Sequence, residues 1–300
     1  MAFALVACLF VGADHTPQTR PSLFARDNLV AWCIVPFDAK HRTPAQRAEM
    51  LQRLGFRHYA YDWREPHLPT FDGELDELAR RDIELTAVWF PAPLNDQTRV
   101  LLDGIRKHKL KPQFWVMADV NSVQAGVDAI TPIAREAAKL GCTVALYNHG
   151  GWFGEPEHQI AIIQELKKAG VSNVGIVYNL HHGHAHLDRF PALLARMKPH
   201  LVALNLNGMV KGGDSTGRQI LPIAQGDLDL SLLKTIRDSG YAGPIGILNH
   251  TDEDAEGRLR DNLEGLEWLV PQLDGKPPTA PKPTPRTWRV DDQDSAKPRS

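Results

Sequence analysis

The sequence predicts a single-domain (β/α)8 TIM barrel over residues 26–273, and three observations carry that expectation. Short apolar runs alternate with helical patterns eight times along this stretch. The runs are continuously apolar rather than alternating, as strands are when both of their faces are buried. One helix follows each run, which makes neighbouring strands parallel through right-handed crossovers. Eight such units in about 250 residues is the size of a closed barrel. A doubly wound open sheet would need a glycine-rich phosphate loop after an early strand. The stretch Val35-Pro36-Phe37-Asp38 has no glycine to build one.

The first strand reads as Leu29 to Val35. Thr43-Pro44 then opens a helix, with a capping residue followed by proline at the first helical position. That helix stops near Leu54-Gly55, where glycine can take the left-handed cap conformation. Strand two, Arg57 to Tyr61, breaks into Asp62-Trp63-Arg64, and its helix covers Asp72 to Arg81. Strand three is Glu84 to Phe90, followed by a helix from Asn95 to His108. Strand four, Gln113 to Met117, leads to a long helix ending at Leu140-Gly141. Strand five is Cys142 to Tyr147, with its helix at Pro156 to Ala169. Strand six, Val174 to Tyr178, precedes a helix over Leu187 to Met197. Strand seven is Leu201 to Leu204, with a helix from Leu228 to Ser239. Strand eight, Pro244 to Leu248, is followed by the last helix, Asp254 to Val270.

Both ends of the chain differ from this pattern. Within residues 1–25, the apolar run Ala2 to Val11 followed by Gly12-Ala13 reads as a secretory signal peptide that lacks the usual positive start. It predicts export to the periplasm or outside the cell, with a cytoplasmic protein as the alternative. Without Cys8 the chain keeps Cys33 and Cys142, both inside predicted strands, so two buried thiols are expected rather than a bridge. Residues 274–300 hold six prolines and almost nothing apolar, the composition of a disordered tail. A net charge of −2 leaves no basic face for nucleic acid. No segment reaches the ~18 apolar residues of a membrane span.

The chemistry gathers where strands end. The run Asn179-Leu180-His181-His182-Gly183-His184-Ala185-His186 places four imidazoles directly behind strand six. A second cluster, Asn148-His149-Gly150-Gly151-Trp152-Phe153-Gly154-Glu155, follows strand five. Asp62 and Arg64 follow strand two, Asn205 and Asn207 strand seven, and His250 strand eight. A closed barrel brings all of these around one axis at its C-terminal face, where such barrels keep their active sites. Trp32, Trp89 and Trp152 at the rim supply rings that can stack on an apolar ligand face. Asn148, Asn179, His184, Asn205, Asn207 and Arg64 are candidate substrate-binding residues. Glu155, His149, His182 and Asp62 are candidate acid-base groups, Glu155 because its glycine-rich loop could fold it over the pocket. Asp62 also has Arg64 within reach as an ion-pair partner. His149, His182 and His250 come from three strands and could form a three-histidine metal site. Such a site would take Zn²⁺ or another imidazole-preferring ion ahead of Mg²⁺ or Mn²⁺.

Three stretches resemble the xylose-isomerase-like TIM-barrel superfamily: Leu54-Gly55-Phe56, Asn179-Leu180-His181-His182, and Gln225-Gly226-Asp227-Leu228-Asp229. That superfamily includes sugar and sugar-phosphate isomerases and epimerases and the type IV apurinic endonucleases. The resemblance implies one divalent ion held by a glutamate after strand five, an aspartate after strand six, a histidine after strand seven and a glutamate after strand eight, with a second histidine three residues beyond the aspartate. This chain departs from that set. The matching positions hold Tyr147 or Asn148, Asn179, Asn205, and Leu248 to His250, and only His182 keeps the expected type and spacing. The resemblance points to a carbohydrate isomerase or epimerase that removes a proton next to a carbonyl. The alternatives are a keto-sugar or keto-glycoside lyase beginning with the same step, and a sugar-binding barrel without catalysis. An endonuclease is disfavoured by the charge balance.

Overall fold

The computed structural model describes residues 22–286. The expected signal peptide and the end of the expected tail lie outside the described residues. Eight parallel strands close in chain order: β1 (Leu29–Trp32), β2 (His58–Tyr61), β3 (Glu84–Phe90), β4 (Gln113–Val116), β5 (Thr143–Tyr147), β6 (Val174–Asn179), β7 (Leu201–Leu206) and β8 (Ile245–Leu248). Pairing of β8 with β1 completes the barrel.

The helices follow as predicted in order: α1 (Pro44–Arg53), α2 (Phe71–Ala79), α3 (Asp96–Lys107) and α4 (Val123–Leu140) in the first half. The second half adds α5 (Gly151–Gly154), α6 (Pro156–Lys168), α7 (Phe190–Met197), α8 (Asp229–Asp238) and α9 (Ala255–Leu273). Thr43 caps α1 in a reciprocal pair with Gln46. Gly55, at φ 77°, turns the chain out of that helix. No helix among the described residues is long and apolar enough to cross a membrane.

Three local departures matter for the site. β1 stops at Trp32 rather than Val35, because Cys33 takes a left-handed conformation (φ 59°) and a 3-10 turn follows at Val35–Phe37. The loop expected after β5 contains the one-turn helix α5, entered through Gly150 and Gly151 at positive φ. The β6–α7 connection folds as 3-10 turns at Leu180–His182 and His184–Arg189. The described part of the tail, as far as residue 286, makes contacts with α9 and with the connection before α8. Ala280 O accepts from Trp268 Nε1 at 3.1 Å and Pro283 O from Gln225 Nε2 at 2.9 Å. The Arg286 guanidinium closes on Asp261 and Glu264 at 2.8 and 2.7 Å.

Side chains fill the barrel in two sizes. Ala60, Ala87, Ala145 and Ala203 face inward and leave room for Trp32, Trp115 and Tyr147. Trp32 and Trp115 meet edge to face at 4.6 Å. At the β7–β8 side Asn205 lies over Gly246, where an added Cβ would come 1.8 Å from Asn205 Oδ1. This packing is the floor on which the site stands. Trp115 is buried to 1% exposure at its centre. Trp115→Ala is therefore expected to lower unfolding free energy by about 3–5 kcal/mol, the range for deleting a large buried ring, as read from urea denaturation. A loss below about 1 kcal/mol would mean the barrel collapses around the gap.

Candidate functional site

A pocket opens at the C-terminal ends of the strands, with an enclosed volume of about 50 Å³ that widens to about 320 Å³ when the space open to solvent is counted. Its walls are Trp32, Cys33 and Phe37 from β1 and its turn, Asp62 and Arg64 after β2, and Trp89 on β3. Tyr147 and His149 come from the β5 side, His182 from β6 and His250 from β8. Seven of the residues singled out in the sequence thus meet in one place: Trp32, Asp62, Arg64, Trp89, His149, His182 and His250.

The histidines lie side by side. The His182 ring sits 4.5 Å from His149 and 3.6 Å from His181. His181 Nδ1 bonds Asn179 Oδ1 at 2.8 Å, which leaves its buried Nε2 without a partner. Asn179 Nδ2 donates to Tyr147 Oη, so the asparagine ties the β5 end to the His181 turn. His182 Nε2 is also buried and unpartnered. Burial, then the neighbouring imidazoles, pushes His182 down to about 3. Burial and the charge of Arg64 take His250 down to about 4, and burial first lowers His149 as well. At neutral pH these rings are uncharged donors and acceptors.

Asp62 is the carboxylate of the pocket. It is 3% exposed, and its Oδ1 has no hydrogen-bond partner. Burial raises it to about 6 against the pull of Arg64, whose Nη1 lies 3.9 Å from Oδ2. The adjacent Cys33 thiol is pushed up by burial and then by the Asp62 charge, so it stays protonated. Arg64 is positioned by Trp63 O, which accepts from Nη1 at 2.7 Å, and by the Phe37 ring, 5.4 Å below its Cζ.

Other expected site residues take structural roles. Asn148 exchanges hydrogen bonds with the Asn179 backbone at 3.1 and 2.7 Å, clamping β5 to β6. Glu155 does not fold over the pocket. Its side chain is 42% exposed and meets His186 Nε2 and Arg189 Nη2, each at 3.2 Å. The cause is α5: Gly154 packs against the backbone of Asn148 and His149, and Pro156 starts α6 at once, which turns Glu155 towards the β6–α7 turns. Trp152 stacks on His158 at 4.0 Å, away from the pocket walls. His184 Nε2 meets Gln219 O at 3.0 Å, and Asn207 Nδ2 donates to Gly208 O at 2.9 Å within its own loop. Asn205 is fully buried inside the barrel with both amide atoms unpartnered.

The expected three-histidine metal centre is not assembled. His149 and His182 pair, whereas His250 packs on Phe37 at 3.8 Å and meets His181 edge-on at 5.7 Å. Among the described residues, no group of three or more His, Cys, Asp or Glu side chains is placed to hold a metal ion. The residues present therefore do not fit the divalent ion that the resemblance implied.

Sequence reasoning did not place Cys33 or Phe37 in the pocket, and it named Tyr147 only as one of two positions matching the family's strand-five ligand. Tyr147 was recoverable, since it shares strand parity with the inward Ala145. Cys33 and Phe37 depend on a left-handed turn at a cysteine, which leaves no pattern in a single sequence.

These features define a (β/α)8 barrel with a desolvated polar pocket at its C-terminal face. The chain belongs to the xylose isomerase-like TIM barrel family, whose pattern it matches over residues 38–271. No curated protein matches it. Among solved structures, a 3-keto-D-glucoside 4-epimerase from E. coli is similar at 12% identity and TM-score 0.59, covering 81% of this chain and 99% of that one. A D-psicose 3-epimerase crystallised in the presence of D-fructose is similar at 14% identity and TM-score 0.58, covering 81% and 98%. A xylose isomerase domain containing protein from Salmonella typhimurium LT2 is similar at 13% identity and TM-score 0.62, covering 83% and 98%. At these identities the likeness is one of fold.

The depressed imidazoles set a pH dependence. A histidine whose folded value lies below its unfolded ~6.5 contributes stability that is complete above that pH. The contribution is lost as pH falls, down to about 4 for His250 and about 3 for His182. Asp62, raised to about 6, and Asp229, raised to about 7 by burial, act in the opposite sense above ~4. Comparing the parent with His182→Gln isolates one imidazole. Below pH 6 the parent should lose about 1.4 kcal/mol per pH unit more than the variant, measured by urea unfolding at pH 7, 5.5 and 4.5. Equal losses would show that His182 titrates normally in the folded state.

Proposed function

We propose that this chain is a carbohydrate isomerase or epimerase that removes a proton from a carbon next to a carbonyl, with Asp62 as the base. The observation that carries this reading is the Asp62 carboxylate, buried in the pocket with an unpartnered Oδ1 and a value raised to about 6. Such a group is ionised at neutral pH yet more basic than a solvated carboxylate, as a general base requires. Trp32 and Trp89 present ring surface for the apolar face of a sugar. The neutral rings of His149, His182 and His250 can both give and accept hydrogen bonds with hydroxyls.

The related structures support the keto-sugar class. Those named as a 3-keto-D-glucoside 4-epimerase and a D-psicose 3-epimerase both act at a carbon next to a ketone. In this chain Asp62 would take the proton, and the electron pair would move onto the carbonyl oxygen to give an enediolate. Return of the proton to the former carbonyl carbon, with the hydroxyl proton passing to the oxyanion, gives the isomer; the epimer needs a proton delivered to the opposite face of the enediolate by a second acid. A lyase would share the first step and then expel a substituent.

The test is to incubate the protein in D2O with ketohexoses and 3-keto-glucosides and follow the products by NMR. Deuterium is expected at the carbon next to the carbonyl, with kcat/KM rising with pH through about 6 as Asp62 ionises. Asp62→Asn should lower the exchange rate by roughly 10²–10⁴-fold. Loss of a substituent would identify the lyase. Tight sugar binding without exchange on any substrate would leave a binding barrel and overturn the proposal.

A further inference from the structure

We propose that this site works without the divalent ion implied by its family, and that the Arg64 guanidinium supplies the positive charge in its place. The inference rests on the reading of the pocket as one for enediolate chemistry, and it begins with the inner strand ends. Tyr147, Asn179, Asn205 and Leu248 occupy the rim from β5 to β8, and none is a carboxylate. Two of them are committed to each other, since Asn179 donates to Tyr147 Oη and accepts from His181. Asn205 is held in the space left by Gly246. Ion ligands cannot be recruited here by a change of rotamer alone.

The pocket's carboxylate lies instead on the β2 side, 3.9 Å from a guanidinium. A divalent ion bound to Asp62 would face that fixed positive charge. Arg64 is the cation among the residues lining the pocket. Its charge adds to burial, the larger cause, in lowering His250 and His149, and it opposes the upward shift that burial gives Asp62. Trp63 O engages one of its five N–H groups and Phe37 supports the guanidinium face. The remaining N–H edges are free, among the described residues, to meet an oxyanion. As Asp62 takes the carbon-bound proton, the electron pair passes to the carbonyl oxygen, and Arg64 N–H groups bond the enediolate formed. The proton then passes from Asp62 to the former carbonyl carbon, and the hydroxyl proton moves to the oxyanion, which completes the isomerisation. Nothing is oxidised or reduced.

Two measurements decide the matter. Elemental mass spectrometry is applied to the protein after dialysis against a chelator, and again after incubation with Zn²⁺, Mn²⁺ or Mg²⁺ and gel filtration. The expected content is below about a tenth of an ion per chain, with the D2O exchange rate unchanged by chelator. A stoichiometric ion that is lost in His149→Ala and His182→Ala, or exchange that needs added metal, overturns this inference while leaving the proposed function standing. For Arg64, a hydroxamate mimic of the enediolate is titrated by tryptophan fluorescence in the presence of chelator. Arg64→Ala should weaken binding at least tenfold and lower kcat by roughly 10²–10³-fold, with added guanidinium ion restoring part of both. Arg64→Lys, which keeps the charge, should fall between the two. Equal hydroxamate binding in parent and Arg64→Ala overturns the role of Arg64. If no keto-sugar exchanges under any condition, the proposed function falls and the role of Arg64 in enediolate chemistry falls with it, while metal content still decides whether the site holds an ion.

Discussion

A closed eight-stranded barrel leaves no space for bulk water among its inner side chains, and that exclusion sets the charge state of the groups at its upper rim. The aromatic floor made by Trp32, Trp115 and Tyr147 seals the interior from below. Groups directly above it lose hydration on one side and gain little compensation. The histidines respond by staying neutral and Asp62 by moving towards neutrality, both through the same cost of holding a charge away from water. Arg64 keeps its side chain about half exposed and rests on the face of Phe37. Substrate would thus meet a pocket with one strong cation, one weakly held proton site and a bank of uncharged rings.

The strand-end loops are held by polar contacts with the backbone rather than by apolar packing alone. The Asn148–Asn179 exchange joins the loops that carry His149 and His182. Across the barrel, Asp229 accepts from the backbone N–H groups of Met209, Ala224 and Gly226 at 2.6, 2.8 and 3.0 Å. This gathers the long connection after β7 beside the start of α8. Gly226 is required there, since a Cβ would stand 2.2 Å from Met209 N. The segment Gln225-Gly226-Asp227-Leu228-Asp229, one carrier of the family resemblance, is in physical terms a loop clamp.

The barrel itself was legible in the sequence because burial on both strand faces writes itself as unbroken apolar runs. β3 falls on its expected span, and the other strands differ only at their ends. The site was legible to the extent that a residue lies within two positions of a strand end, as Asp62, His149 and His250 do. Legibility failed where a loop makes its own turn. Glu155 is carried off by the one-turn helix α5, and the fate of Cys33 depends on a left-handed backbone that cysteine rarely adopts. His186 shows the same limit. It bridges Tyr178 Oη at 2.9 Å and Glu155 at 3.2 Å, a contact set by the 3-10 turns rather than by spacing along the chain.

The double duty of Asn179 bears on the charge carried by the rim. Its amide gives a hydrogen to Tyr147 and takes one from His181, and it does so without a charge. Aspartate there would turn the Tyr147 hydroxyl round to donate and would put a full negative charge at a fully buried position, held by two neutral donors alone. One small amide, wedged between two strand ends, keeps the upper rim uncharged where β5 and β6 meet.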